Sequence, residues 1–248
     1  MRRALLMLVL SWPALVAAAA DCAPPRRLQR VDGDDFRHGL HRWRLESEDP
    51  RALVTAHDGV LDIQAPAGLS LWWTSPIGGD YRIRFTALAL PAPASAGVHA
   101  GRLSDLNMFW NASEADGSAP RQRSGRFGDY DDLRAYYVGF GANANRSTRL
   151  RVYDGQRRLL AGYADAALRE RPEQALPERA RLAGGRSLAI EISSRPATDA
   201  DRATLRWRVD GRLLFEHHDR APRLQGHFAL RTTASRLQLR DFQVLQCR

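Results

Sequence analysis

The chain has 248 residues, 44% of them hydrophobic, which is enough for a sizeable core, and no Gly/Ser linker or low-complexity break divides it. All 37 basic residues are arginine, interspersed with 28 acidic residues for a formal charge of +9. That mixing argues against the clean basic stripe of a nucleic-acid binder, whereas guanidinium forks suit carboxylate partners; a GC-rich genome would give the same arginine bias.

The first twenty residues have the three-part layout of an export signal: Arg2 and Arg3, an apolar run from Ala4 to Val16, and the small residues Ala17 to Ala20. The run falls short of the ~20 residues of a spanning helix and Pro13 interrupts it, so cleavage after Ala20 is expected rather than a membrane span. The remainder is read as one domain over 21–248, secreted or periplasmic, monomeric, with a formal charge of +7 once Arg2 and Arg3 are removed. Asp21 stands where lipid attachment at Cys22 would want a small residue. The two cysteines, Cys22 and Cys247, sit near opposite ends, and in an oxidising compartment they read as a disulfide that sets the first and last strands side by side.

From there the apolar pattern alternates. Tyr81 to Phe85, Leu188 to Ile192 and Leu205 to Val209 place large apolar residues at every second position, the mark of half-buried antiparallel strands. Asp58-Gly59 and Asp210-Gly211 fall between such runs, where type I′ hairpin turns favour them. Further strands are predicted at Leu69 to Thr74, Ser104 to Trp110, Ala135 to Gly141, Thr148 to Tyr153, Leu213 to His217, His227 to Thr232 and Leu237 to Leu245. Pro91 to Gly101 reads as a surface crossing. Ser113 to Gly128 is a polar loop longer than most connections and is a candidate functional loop. Asp165 to Leu176 supports one short helical turn at most, because Pro172 interrupts it. Many short strands with apposed termini predict an all-β fold, a jelly-roll sandwich of two antiparallel sheets.

The unusual residues concentrate between Ser104 and Tyr153. Strand alternation puts Asp105, Asn107 and Phe109 on one face and Leu106, Met108 and Trp110 on the other. Gly139 and Gly141 share a face with Tyr137, which clears side chains from that stretch and makes room for a ligand. Arg149, Arg151 and Tyr153 project from one face of the next strand, while Tyr136 alternates with Val138 and reads as core. A groove floored by glycine, walled by Tyr137, Tyr153 and Phe109, and supplied with Asp105, Asn107, Asn145, Arg149 and Arg151 suits sugar rings, whose C–H faces stack while their hydroxyls hydrogen-bond.

Several runs carry a resemblance: Ser104 to Trp110, Ser124-Gly125 with Tyr130 and Leu133, Tyr136 to Gly141, Asn145 with Thr148 to Tyr153, and Gly226-His227-Phe228 with Leu230-Arg231-Thr232. With these the chain resembles an exported bacterial domain-of-unknown-function family related to YesU and to the concanavalin A-like lectins and glucanases. The resemblance implies a jelly roll that works on plant or algal polysaccharide, and it adds Arg231 to the substrate-binding set. Ala142, Ala144 and Ser147 are mild departures from the family pattern.

Three readings of the chemistry stay open. A polysaccharide lyase on an acidic, pectin-like glycan needs a cation or amide for the uronate carboxylate, a base for the C5 proton and an acid for the leaving oxygen, and Arg149, Arg151, Asn107, Asn145, Tyr137, Tyr153 and Asp105 supply them. A retaining glycosidase needs two carboxylates roughly 5 Å apart; Glu114-Ala115-Asp116 begins a suitable spacing, but Ala119 stands where the last glutamate belongs. The third reading is a noncatalytic carbohydrate-binding module. His38, His41, His217 and His218 lack partners at zinc spacings, so no metal site is predicted; calcium at Asp32 to Asp35 or Asp129 to Asp132 stays open.

Overall fold

The computed structural model describes Cys22, residues 25–197 and residues 202–248; the predicted export signal lies outside them. In chain order the strands are β1 (Leu28–Asp34), β2 (Trp43–Ser47), β3 (Leu53–His57), β4 (Val60–Trp73), β5 (Ile77–Gly78), β6 (Tyr81–Leu90), β7 (Leu106–Ser113) and β8 (Arg134–Gly141). They continue as β9 (Ser147–Asp154), β10 (Arg157–Ala164), β11 (Gln174–Ala175), β12 (Ser187–Arg195), β13 (Ala203–Val209), β14 (Arg212–Asp219) and β15 (Gln225–Cys247). Among the described residues helical structure is confined to short turns, one of them Ala166–Leu168, and Pro91 to Gly101 carries a 3₁₀ segment across the surface.

The hydrogen-bonded path runs β11-β10-β9-β8-β7-β15-β6-β12-β13-β14, and it folds into two facing layers. The turning point is in β15, which pairs with β7 up to Arg231 and with β6 from Arg236, bending at Ala234, whose φ is +43°. β4 follows it through both layers, pairing at 61–65 and again at 68–72. Two of the predicted strands, His227 to Thr232 and Leu237 to Leu245, are therefore one strand that serves both sheets, and Leu69 to Thr74 is the second half of another.

Alternation explains the layers. β6 and β13 bury every second residue, and those side chains meet the inward residues of β7 to β10. Phe140 and Trp207 meet edge to face across the layers at 5.0 Å between centroids, and the Trp207 indole N–H donates to Met108 Sδ at 3.2 Å. Asp58-Gly59 and Asp210-Gly211 have positive φ at both central positions, as type I′ hairpins require. Cys22 is bonded to Cys247, 225 residues away, and Leu28 pairs with Cys247 in the β1–β15 ladder. The termini are thus joined as the cysteine count predicted.

Candidate functional site

The site stands on the outer face of β7, β8 and β9, with β15 and β4 beside them. Register places its residues in two rungs across the sheet. One rung reads Glu46, Ser70, Arg231, Asn107, Gly139, Arg149; the next reads Arg44, Trp72, Ala229, Phe109, Tyr137, Arg151. Strands lie about 4.8 Å apart, so the missing side chain at Gly139 opens a slot between Asn107 and Arg149, bordered by Tyr137 on the neighbouring rung. A Cβ at Gly139 would lie 3.2 Å from the Tyr137 ring and 3.6 Å from Asn107 Oδ1.

The Ser113 to Gly128 loop folds down over half of this face. Arg123, buried, donates to both oxygens of Glu114 at 2.7 and 2.9 Å and to Asp132 at 2.8 Å, and its backbone N–H donates to buried Glu46 at 3.0 Å. Glu46 also accepts from the Trp72 indole at 3.0 Å and from the Tyr130 hydroxyl at 2.6 Å. Under this roof Trp72, Phe109, Tyr130, Tyr137 and Tyr153 pack into a second, aromatic core. Where the loop returns to the sheet, Gly125 with φ +91° sits 2.7 Å, measured from an added Cβ, from the Glu48 backbone nitrogen, and its carbonyl accepts from Arg231. Gly68 is required there too, since a Cβ would meet the Gly125 carbonyl oxygen at 2.5 Å.

Beside the roof the face stays open as a cleft of about 460 Å³, lined among others by Glu48, Arg102, Asp105, Asn107, Arg126, Phe127, Tyr137, Arg149, Arg151 and Arg231. Its arginines differ in what holds them. Arg149 is clamped on Glu173 at 2.5 and 2.9 Å and on the Leu168 carbonyl at 2.7 Å. Arg102 reaches Asp105 at 3.1 Å and two carbonyls of the β15 bend, and Arg126 lies 3.5 Å from Glu48. Arg231, only 3% exposed, donates to one carbonyl and lies 5.4 Å from the Phe127 and Tyr130 rings, with no carboxylate partner among the described residues. The Arg151 side chain makes no hydrogen bond or ion pair to a described residue.

Two titratable groups at the floor are shifted. Burial pushes the Asp105 carboxyl above its ordinary range, against hydrogen bonds from Ser104 at 2.5 Å and Asn107 at 3.0 Å and the charge of Arg102. Burial, then Tyr153 and Asp105, push the Tyr137 phenol well above its ordinary value, with Arg231 and Arg151 pulling the other way. Tyr137 is thus a protonated hydroxyl across the neutral range. Asn107 turns its amide N–H to Asp105 and leaves Oδ1 buried without a partner.

Of the nine residues the sequence placed in the groove, Asp105, Asn107, Tyr137, Arg149, Arg151 and Arg231 line the cleft together. The other three do not. Phe109 and Tyr153 are fully buried beneath Tyr137, at 4.7 and 5.7 Å between centroids, so they are the floor's support and not its wall. The Tyr153 hydroxyl is sealed without a partner, which removes it as an acid or base toward a ligand. Asn145 is fixed through both amide atoms to the Leu182 backbone at 2.8 Å. Gly141 is not open floor either: Leu182 would lie 2.6 Å from its Cβ. Tyr136 is core, its hydroxyl donating to Asp219 at 2.6 Å.

Sequence reasoning missed Arg102, three residues before Asp105, and the loop residues Arg126 and Phe127, although the length of their loop was the signal that marked it. Glu114 is spent on Arg121 and Arg123, and Asp116 on Ser118, so the glycosidase-like spacing is a loop anchor. The calcium candidates are likewise engaged: Asp32 with Arg42, Asp131 with Arg157 and Asp132 with Arg121 and Arg123.

Comparison with known proteins agrees with this architecture. The model of a domain of unknown function, DUF6250, matches residues 63–242, and the chain belongs to that family. Among solved structures it is similar to a Bacillus subtilis protein of unknown function with a galectin-like fold (TM-score 0.65, 16% identity, 89% of this chain and 99% of that one). It is also similar to an endo-β-1,3-glucanase from Pyrococcus furiosus (TM-score 0.54, 10% identity, 91% and 97%) and to the carbohydrate-binding module CBM66 from Bacillus subtilis (TM-score 0.51, 8% identity, 83% and 96%). These likenesses establish the concanavalin A-like jelly roll. No curated protein matches the chain.

Proposed function

Taking membership of this family as the premise, we propose that the chain is an exported carbohydrate-active protein whose cleft takes an acidic, uronate-containing polysaccharide. One observation carries the proposal: five arginines, Arg102, Arg126, Arg149, Arg151 and Arg231, line a single cleft with two carboxylates, Asp105 and Glu48. Neutral sugars need no such excess of guanidinium, whereas a carboxylate on each sugar would supply the missing charge. The fold's neighbours include a glucanase and a carbohydrate-binding module, which supports sugar as the ligand class.

For the chemistry we propose lyase-type elimination, because Tyr137 offers a protonated hydroxyl with no hydrogen bond to a described residue, at the wall of the slot. Arg151 and Arg231, the cleft arginines without an ion pair to a described residue, offset the charge that builds on the uronate carboxylate as C5 loses its proton. Asp105, made more basic by burial, takes that proton; the C4–C5 double bond forms, the C4–O bond breaks, and Tyr137 protonates the departing oxygen. A retaining hydrolase is less well supported, since Glu48, the cleft's other carboxylate, is held by Arg126 and by the Gly68 N–H at 3.2 Å.

The test is incubation of the mature chain with galacturonan, glucuronan, mannuronan, guluronan and a neutral glucan, read by the ultraviolet band of unsaturated uronate, by reducing ends and by affinity electrophoresis. New reducing ends with the ultraviolet band are expected. Reducing ends alone would make it a hydrolase, binding without products a module, and binding confined to the neutral glucan would overturn the acidic reading.

A further inference from the structure

Two arginines share one rung, Arg231 and Arg149, with Asn107 and Gly139 between them. Both are buried, at 3% and 7% exposure. A buried guanidinium is costly unless a counter-charge accompanies it. Arg149 has one: Glu173 enters against it through the space that Gly162 leaves on the adjoining strand, and the pair holds the guanidinium's pKa above its ordinary value. Arg231 has no ion pair to a described carboxylate: it has the Gly125 carbonyl and the faces of Phe127 and Tyr130, and interacts with the Asp105 charge only at longer range. The next residue along its rung, Asn107, is 4% exposed and carries the unpartnered Oδ1, an acceptor suited to a sugar hydroxyl.

We infer that Arg231, and not Arg149, reads the carboxylate of the bound sugar, with the sugar ring seated over Gly139 between Asn107 and Tyr137. This assignment rests on the proposed binding of an acidic glycan. The empty counter-charge at Arg231 is the place the ligand fills, whereas Arg149 is already neutralised and acts as the far wall of the slot. Arg151, half-buried at the cleft and without an ion pair to a described residue, adds a second cation on the rung of Tyr137. The structure thus separates two arginines of one rung into a reader and a strut.

Isothermal titration with whichever uronate oligosaccharide of the panel binds best, and with its carboxyl-reduced counterpart, tests this. Arg231→Gln is expected to lose on the order of 100-fold in affinity for the acidic oligosaccharide and to bind it no better than the reduced one, as for a lost charge-assisted pair. Its melting midpoint should be no lower than wild type, because a buried charge without a partner has been removed. Arg231→Lys, which keeps the charge and loses the fork, should lose about tenfold. The Arg149→Gln, Glu173→Gln double variant, which leaves no orphaned charge but alters the far wall of the slot, should weaken the acidic and the reduced oligosaccharide alike and keep the preference between them. Gly139→Ala should weaken both oligosaccharides alike, since it narrows the slot without touching charge. The inference falls if wild type prefers the acidic oligosaccharide but the Arg149 double variant loses that preference as fully as Arg231→Gln, or if Arg231→Gln and Arg231→Lys keep it. If wild type binds none of the panel, or binds acidic and reduced forms equally, the proposed function itself fails and the assignment with it.

Discussion

The sheet face that carries the site has two halves built from the same materials and finished differently. Under the loop, every charge is answered: Glu46 accepts from Trp72, Tyr130 and the Arg123 backbone, and Arg123 lies between Glu114 and Asp132. A few ångströms away, Arg231 and Arg151 form no ion pair and Asn107 Oδ1 has no hydrogen bond among the described residues, and Gly139 keeps the floor bare. Burial does not separate the halves, since Arg123 and Arg231 are both nearly inaccessible. What separates them is charge balance. A satisfied buried network holds structure, and an unsatisfied one beside a cleft is where a ligand's charge belongs.

Breaking the closed half should give the largest effect. Glu46→Ala leaves the Trp72 indole, the Tyr130 hydroxyl and the Arg123 N–H without their acceptor, and a cost of about 3 to 5 kcal/mol is expected from denaturant unfolding. A loss below about 1 kcal/mol would mean that the loop does not depend on this strut.

In the open half the effect should appear in turnover and not in folding. Tyr137→Phe is expected to reduce the elimination rate by a factor on the order of 100, with unfolding free energy changed by less than about 0.5 kcal/mol. Its neighbour Tyr153→Phe is the control: deleting a hydroxyl that is buried without a partner should raise stability by up to about 1 kcal/mol and leave the rate alone. Equal rates for Tyr137→Phe and wild type on a cleaved substrate would take the tyrosine out of the chemistry.

How much of this was legible beforehand follows the range of the interactions. Alternation in Tyr81 to Leu90 or Ala203 to Val209 is local, as are the positive φ values of Asp58-Gly59 and Asp210-Gly211, so those strands and turns could be read directly. β1 to β3 were not read, because edge strands such as Leu28-Gln29-Arg30-Val31 bury little and carry no clean period. The face shared by Asp105, Asn107, Tyr137, Arg149 and Arg151 was legible from spacing. Depth on that face was not. Phe109 and Tyr153 became floor only because the Ser113 to Gly128 loop closes over them, and Arg149 is neutralised by Glu173 from an irregular segment that no period marks.

Salt sharpens the contrast further. The closed network exchanges its partners with no ion, so unfolding should depend weakly on ionic strength, while affinity for an acidic oligosaccharide should fall several-fold between low and physiological salt because its carboxylate meets half-buried Arg151 as well as Arg231. Titration at two salt concentrations measures this; a salt-independent affinity would mean that the carboxylate is not what the cleft recognises.

The smallest effect, and the one with a definite sign, belongs to Asp105 at the boundary between the halves. Burial raises its folded-state pKa above the unfolded value of about 3.9, so the folded protein binds the proton more tightly than the unfolded chain does. The associated stability is fully present below the unfolded pKa and is lost as pH rises through the folded one. Asp105→Asn, which cannot ionise, escapes that loss. The stability difference between variant and wild type should therefore be flat at the acidic end and move in the variant's favour as pH rises toward neutral, measured by denaturant unfolding at several pH values. If the hydrogen bonds from Ser104 and Asn107 and the pairing with Arg102 outweighed burial, the folded pKa would lie below the unfolded one and the difference would move the other way. That outcome would make Asp105 a satisfied anion like Glu46, and would move it from the open half of the face to the closed one.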